Sequence, residues 1–177
     1  ESSCHPIPQM SPSLPRSINT SRGANTDFEA CAAALWQMVA PAATVTEITR
    51  PSVDHGRDAL GYYSLGPPEE RVQLSFSLEA KCYEPGKSVG VKEMSRLISR
   101  LRHREFGVMV TTSFVGKQAY EEIRMDRHPV VVMCGSDIVR ILKAQGLPTR
   151  EAVEGWLAAE YPADESRPLS PQSSRRR

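Results

Sequence analysis

Residues 58–83, DALGYYSLGPPEERVQLSFSLEAKCY, have the pattern of two β-strands joined by a turn. The run GPPEE at 66–70 marks the turn, because glycine and proline interrupt regular structure. In the second strand, apolar and polar residues alternate from Val72 to Tyr83, which is the two-residue period of a strand. The pattern predicts strands over 58–65 and 71–83 that form a hairpin, with one face in the core and the other face polar.

The position of the turn determines which residues of the hairpin lie opposite each other. If the chain turns about the bond between Pro68 and Glu69, the residue numbers of antiparallel partners add up to about 137, so Asp58 lies opposite Glu79. Directly opposed residues sit roughly 5 Å apart. Glu79 and Lys81, two residues apart on one strand, project from the same face. The sequence therefore predicts two carboxylates and an amine in one small volume.

This combination of side chains suits the hydrolysis of a phosphodiester. Two neighbouring carboxylates are costly to keep ionised unless a cation lies between them, and Mg²⁺ prefers oxygen ligands. A lysine beside such a metal can hold or deprotonate an attacking water, while the metal neutralises charge on the phosphate. We therefore expect Asp58, Glu79 and Lys81 to be catalytic. His55 is interpreted as a loop residue, because Lys81 already fills the role of a base.

A basic segment follows the hairpin. It holds seven Lys or Arg between positions 81 and 104, against two acidic residues, Glu84 and Glu93. After a Pro-Gly turn at 85–86, apolar residues at helical spacing from 91 to 101 predict an amphipathic helix. Its other side carries Lys92, Arg96 and Arg100. We expect these three residues to hold a polyanion, since each cation that meets a phosphate gains affinity through counterion release.

The remaining segments predict an α/β domain with a mixed β-sheet flanked by helices. A first helix follows Thr26 as its N-cap and ends at Pro41, and a short strand covers 45–49. Beyond the basic helix, apolar strands at 106–112 and 129–134 alternate with helices at 116–125, 137–143 and 149–160. Such alternation favours parallel pairing. We expect a helix, an antiparallel meander, and then helix and strand units that extend the sheet.

Composition limits the domain organisation and the location. With 177 residues, of which 40% are hydrophobic, the chain can form one sizeable core. We interpret 1–25 as a disordered segment or linker, 26–161 as the domain and 162–177 as a disordered basic tail. Four scattered cysteines without CxxC spacing indicate neither a zinc site nor a disulfide framework, which favours the cytoplasm. No apolar run is long enough to cross a membrane. The first residue, Glu1, suggests a piece of a longer protein.

The motif residues resemble a known family. The run GRD at 56–58, followed by a hairpin and EAK at 79–81, is similar to the PD-(D/E)XK nucleases and, within them, to the Mrr-like restriction endonucleases. The resemblance covers about residues 27–142. It implies a restriction-endonuclease-like fold, Asp58 and Glu79 as metal ligands, Lys81 as the residue that acts on water, and cleavage of DNA. Glu29 on the first helix is a further candidate ligand, with a purely structural role as the alternative.

The resemblance implies the cleavage domain of a restriction enzyme that uses Mg²⁺ and acts on double-stranded DNA, with the modification-dependent class included. One such centre cuts one strand, so we expect a homodimer or higher oligomer. No segment resembles a base-reading element, which indicates a separate recognition domain. Two alternatives stay open: a repair or recombination nuclease such as a junction resolvase, and a non-catalytic DNA-binding module on the same fold. The presence of Asp58, Glu79 and Lys81 together argues against the second.

Overall fold

A computed structural model of the chain describes residues 24–48 and 57–160. These residues form five helices and seven strands. In chain order the elements are α1 (Ala24–Val39), β1 (Ala43–Ile48), β2 (Ala59–Leu65), β3 (Val72–Lys81), β4 (Ser88–Val89), α2 (Val91–Ile98), β5 (Glu105–Thr111), β6 (Phe114–Val115), α3 (Lys117–Met125), β7 (Val130–Met133), α4 (Gly135–Ala144) and α5 (Arg150–Glu160).

The main sheet is mixed, as the sequence predicts. Its five strands lie in the order β1, β2, β3, β5 and β7. The first three are antiparallel neighbours, whereas β3, β5 and β7 pair in parallel. Helices α2 and α3 lie in the connections that return the chain for each parallel strand. The central strand β3 is therefore the place where the antiparallel hairpin meets the parallel half of the sheet.

Two clusters of buried side chains cover the two faces of this sheet. Val108 and Val110 of β5 belong to a cluster that includes residues of α1, α4 and α5, with Trp156 and Leu157 packed against it. Met109, between the two valines, belongs to a second cluster with residues of α2 and α3. Because successive residues of a strand point to opposite faces, β5 is covered on both sides. This explains its continuous apolar run.

The second face of β3 is polar, as the alternation predicts, but it is buried at the carboxyl end of the strand. Residues 76–80 are all buried, and Ser77 and Glu79 are only 1% and 0% exposed. Gln73 and Ser75, nearer the hairpin turn, are exposed. This end of the strand is buried because β5 pairs there and the α2 side of the sheet is covered. Glu79 is thus a buried carboxylate and not a surface residue.

Some element boundaries also differ from the prediction. Within the described residues α1 covers Ala24–Val39, so Thr26 lies inside the helix and is not its N-cap. The small parallel pair of β4 and β6 was not predicted, because two residues per strand are too few to show a period. Predictions for 1–23, 49–56 and 161–177, including the linker, the tail and His55, lie outside the described residues. Among those that are described, no helix is long and apolar enough to span a membrane.

A glycine in β2 permits the close approach of β1 and Phe76. A Cβ atom on Gly61 would lie 2.2 Å from the carbonyl oxygen of Thr44 and 2.6 Å from the ring of Phe76. That ring packs edge-on against Trp36, at 5.9 Å between centroids, so it has little room to move. Substitution Gly61→Ala is expected to lower the free energy of unfolding by about 3 kcal/mol, as overpacking does. Urea unfolding monitored by circular dichroism measures the change.

Gly155 provides the matched control for this substitution. It lies within α5, and a Cβ atom there would have no neighbour within 4 Å. Because alanine favours a helix over glycine, Gly155→Ala should raise the free energy of unfolding by up to about 1 kcal/mol. Equal effects of the two substitutions would contradict the packing described around Gly61.

Candidate active site

The hairpin register places Asp58 opposite Glu79, as predicted. Ala59 pairs with Leu78, and the N–H of Asp58 donates to the carbonyl oxygen of Leu78 at 2.9 Å. The side chain of Asp58 adds a second link, since its Oδ2 atom accepts the N–H of Ala80 at 2.6 Å. Asp58 precedes β2 by one residue, yet main chain and side chain both attach it to β3. Its carboxylate is therefore fixed beside the carboxyl end of the central strand.

Glu79 is surrounded by cations. The Nζ atom of Lys81 lies 2.8 Å from Oε1 of Glu79, and Nη1 of Arg100 lies 4.0 Å from Oε2. The side chain of Glu79 is 1% exposed, compared with 21% for Lys81 and 20% for Arg100. Neither of its oxygens accepts a hydrogen bond of good geometry from the described residues. A buried charge is costly unless it is paired, so the two cations are needed to keep this carboxylate ionised.

A cavity of about 150 Å³ opens at the carboxyl end of β3. Three of the predicted site residues line it, namely Glu29, Asp58 and Lys81, together with Phe28, Ala80, Cys82 and Tyr83. Glu79 is not part of the lining. Leu78 and Ala80 belong to the cluster formed with α1, so Glu79 projects from the opposite face of the strand. The structure thus brings Glu29 to Asp58, and Glu79 to Lys81.

Burial and like charge perturb the carboxyl groups that line the cavity. Burial raises the pKa of Glu29 to about 7; the charge of Asp58 adds to this effect and that of Lys81 opposes it. Burial also raises the pKa of Asp58, against the opposing effects of the Ala80 hydrogen bond and the Lys81 charge. The Oε2 atom of Glu29 is buried without a hydrogen bond from the described residues. A cation between the two carboxylates would relieve this repulsion.

The donor atoms suit a hard divalent cation, because they are carboxylate oxygens and several are buried without hydrogen bonds. Their arrangement is only partly complete. Within 24–48 and 57–160, no three acidic, histidine or cysteine side chains lie close enough together to bind one ion. The reason is the position of Glu79 on the opposite face of β3 from Glu29.

The predicted basic helix separates into two parts. Helix α2 buries Met94 and Leu97 and exposes Lys92 and Arg96. Arg100 lies beyond the end of α2, and its guanidinium is directed to Glu79. Its carbonyl oxygen also accepts a hydrogen bond at 2.9 Å from Nη2 of Arg57, the residue before Asp58. Arg100 therefore belongs to the site itself, whereas Lys92 and Arg96 face solvent.

Sequence reasoning missed three residues that support this site: Arg57, Tyr83 and Thr112. The Thr112 hydroxyl donates to the carbonyl oxygen of Tyr83 at 2.7 Å and accepts the Tyr83 N–H at 2.8 Å. The N–H of Thr112 donates to the carbonyl oxygen of Lys81 at 3.2 Å. Tyr83 had a signal, because it continues the alternation of Glu79 and Lys81. The contacts of Arg57 and Thr112 join residues that are far apart in the sequence, so no local sequence pattern predicts them.

Comparison with known proteins places these features in a family. A family model described as restriction endonuclease, of the Mrr catalytic type, matches residues 21–142. The DNA modification-dependent restriction endonuclease AspBHI superposes with a TM-score of 0.71 at 46% identity, over 78% of this chain and 36% of that chain. The MspJI restriction endonuclease in complex with a 27-mer oligonucleotide superposes with a TM-score of 0.68 at 23% identity, over 86% of this chain and 39% of that chain. The second likeness shows the fold alone. None of the curated proteins matches by sequence.

The chain spans less than half the length of either of these two structures.

The raised pKa of Glu29 predicts a pH-dependent stability of the metal-free protein. The pKa of Glu29 rises from its ordinary value of 4.5 to about 7 in the folded state, so below pH 4.5 the folded and unfolded states are both protonated and no penalty exists. As the pH rises through 7, the folded state must ionise a partly buried group, and stability is lost. Glu29→Gln should therefore stabilise the protein at pH 8 by on the order of 1 kcal/mol, after allowance for solvent screening.

Urea unfolding in EDTA at pH 5 and at pH 8 measures this effect, and the gain from Glu29→Gln should be much smaller at pH 5. Glu47→Gln is the matched control, because Glu47 is an exposed carboxylate on β1. An equal gain at both pH values, or the same pH dependence for Glu47→Gln, would exclude Glu29 as its source.

Proposed function

Because the chain belongs to the Mrr-type restriction endonuclease family, we propose that it is a Mg²⁺-dependent endonuclease that hydrolyses phosphodiester bonds of double-stranded DNA. The main support is the geometry at the carboxyl end of β3. Asp58 lies across the hairpin from Glu79, and Lys81 pairs with Glu79 and lines the same cavity as Asp58. A carboxylate pair beside an amine is the arrangement that metal-assisted hydrolysis of a phosphodiester needs.

Asp58 and Glu79 are proposed to hold the metal, with Glu29 as a third carboxylate from α1. A Mg²⁺ ion held by these residues would supply Lewis-acid activation of the attacking water and would neutralise charge that develops on the phosphate. Asp58 is suited to this role because its hydrogen bond from Ala80 fixes its orientation. Glu79 has two buried oxygens without hydrogen bonds of good geometry from the described residues, so a metal would supply contacts that the fold leaves incomplete.

Lys81 is proposed to act on the attacking water. Its ammonium lies 2.8 Å from Glu79, and its side chain is 21% exposed at the cavity. From this position it can orient the water, or accept a proton from it when the amine is neutral. Arg100, 4.0 Å from the other oxygen of Glu79, offsets part of the carboxylate charge together with Lys81.

Lys92 and Arg96 are proposed to contact the DNA backbone, because both are exposed on α2. Arg100 was predicted to do the same from the sequence, but its position beside Glu79 favours a role in supporting the catalytic carboxylate. Separate phosphate contacts from α2 would position the duplex without reading its sequence.

Recognition of modified DNA and assembly are proposed from the relatives. AspBHI, 46% identical over 78% of this chain, is a DNA modification-dependent enzyme, and we propose the same dependence here. This chain covers 36% of AspBHI, so recognition of the modified base is assigned to a separate domain. A homodimer or higher oligomer is proposed for cutting both strands, because one centre hydrolyses one bond at a time.

Loss of either key side chain tests the proposed centre. Asp58→Asn removes a metal-binding charge and Lys81→Met removes the amine, with little change in size. Each is expected to lower the rate of plasmid cleavage in Mg²⁺ by about 100-fold or more. Lys117→Met is the matched control, because Lys117 is an exposed lysine of α3 that pairs with Glu121. Cleavage that survives both substitutions, or that persists in EDTA, would exclude this centre.

A panel of plasmids that differ only in cytosine or adenine modification tests the proposed substrate. Cleavage is expected with at least one modified plasmid and not with the unmodified one, as quantified on agarose gels. Equal cutting of all plasmids would exclude modification dependence and leave the nuclease assignment intact. Preference for a branched junction over any duplex would favour the resolvase alternative.

A further inference from the structure

A lysine that the proposed catalysis does not use is held near the rim of the catalytic cavity. Lys87 is exposed, yet its ammonium lies 4.0 Å from the centroid of the Tyr83 ring, and Tyr83 lines the cavity. We propose that Lys87, positioned by Tyr83, binds the DNA backbone phosphate next to the one that is cleaved. This inference rests on the proposed function and adds a phosphate contact to it.

The Tyr83 ring is fixed from two directions. Its main chain is bound on both sides by the Thr112 hydroxyl, at 2.8 Å from the N–H and 2.7 Å from the carbonyl oxygen. Its phenol hydrogen-bonds the Glu93 side chain, which also accepts the N–H of Gly90 at 3.0 Å. Thr112 follows β5 and Glu93 lies in the first turn of α2, so the ring is attached to two elements of the fold.

The main chain of Lys87 is equally restricted. Its N–H donates to the carbonyl oxygen of Glu84 at 3.1 Å, across a turn whose third residue, Gly86, has a φ of +93°. Proline at the second position and glycine with positive φ at the third are the signature of a type II turn. This is the turn that the Pro-Gly pair at 85–86 predicts. The turn holds the Cα atom of Lys87 close to the ring that its ammonium contacts.

The spacing along the chain is consistent with a phosphate contact next to the one at the catalytic lysine. Tyr83 follows Lys81 by two residues and continues its side of the alternation, while Thr112 keeps the chain alongside β5 beyond the end of β3. Two residues of a strand advance by about 6.6 Å, which is comparable to the separation of successive phosphates on a DNA strand. If the scissile phosphate lies at Lys81, its neighbour lies within reach of Lys87.

The chemistry of the pair assigns the contact to the ammonium. The phenol already donates to Glu93, so it has no second proton to offer a phosphate. A lysine on a surface loop usually loses side-chain freedom when it binds, and this loss weakens the contact. The cation–π contact with Tyr83 orders the side chain beforehand. The same arrangement leaves the ammonium accessible, because Lys87 is exposed.

The test measures binding of a short fluorescent DNA duplex to the 177-residue chain, in Ca²⁺ in place of Mg²⁺, at several salt concentrations. Lys87→Met removes one phosphate contact, so the slope of log K against log salt should fall in magnitude by about 0.9. Tyr83→Leu leaves the ammonium but removes its support, so affinity should fall about two- to five-fold with the slope unchanged. Tyr83→Phe retains the ring and should bind more tightly than Tyr83→Leu.

Lys117→Met, on α3, is the matched control and should leave both affinity and slope as in the wild type. Thermal unfolding of each variant shows whether the fold is retained, and Lys87→Met changes only an exposed side chain. An unchanged salt slope for Lys87→Met overturns the inference, and unchanged affinity for Tyr83→Leu overturns the role of the ring. If the wild type cleaves DNA while Lys87→Met binds normally, this inference fails alone. A wild type that binds no DNA overturns this inference and, with it, the proposed phosphate contacts of Lys92 and Arg96.

Discussion

The site depends on one constraint, the register in which β2 pairs with β3. Two hydrogen bonds maintain it at the catalytic end, from Asp58 N–H to Leu78 and from Ala80 N–H to the Asp58 carboxylate. A slip by one residue would turn every side chain of the strand to the opposite face. Glu79 would then enter the cluster beneath α1, and the apolar residues beside it would replace it at the other face. The side chain of Asp58, which is proposed to hold the metal, is thus also one of the contacts that keep the two strands aligned.

The position of Glu79 shows how the fold accommodates a charge in its most buried strand. β3 lies between an antiparallel and a parallel neighbour, and its carboxyl half is covered on both faces. Glu79 is tolerated there because Lys81 and Arg100 supply positive charge from the same strand and from the turn after α2. A hydrocarbon side chain of similar size would be expected to suit the core at least as well. The carboxylate is therefore better explained by chemistry than by stability.

Much of the fold and part of the site could be predicted from the sequence. The hairpin, the register that brings Asp58 to Glu79 and the parallel pairing of the later strands all follow from local periodicity and turn residues. The burial of Glu79 did not follow, because it depends on which helix covers the second face of β3. The position of Arg100 did not follow either, since the helical period continues past Ile98, where α2 ends. Contacts such as those of Thr112 join segments about thirty residues apart, and no spacing in the sequence encodes them.

The hairpin has two ends with different freedom to change during evolution. Seven residue pairs separate the turn from the catalytic end, and the register is fixed independently at that end by Asp58. Leu65 and Val72, which form the last pair before the turn, are more than half exposed and lie outside both buried clusters. Insertions or deletions in the loop from 66 to 70 would therefore leave the catalytic geometry in place. The tip of the hairpin can therefore change in length and chemistry without disturbing the site.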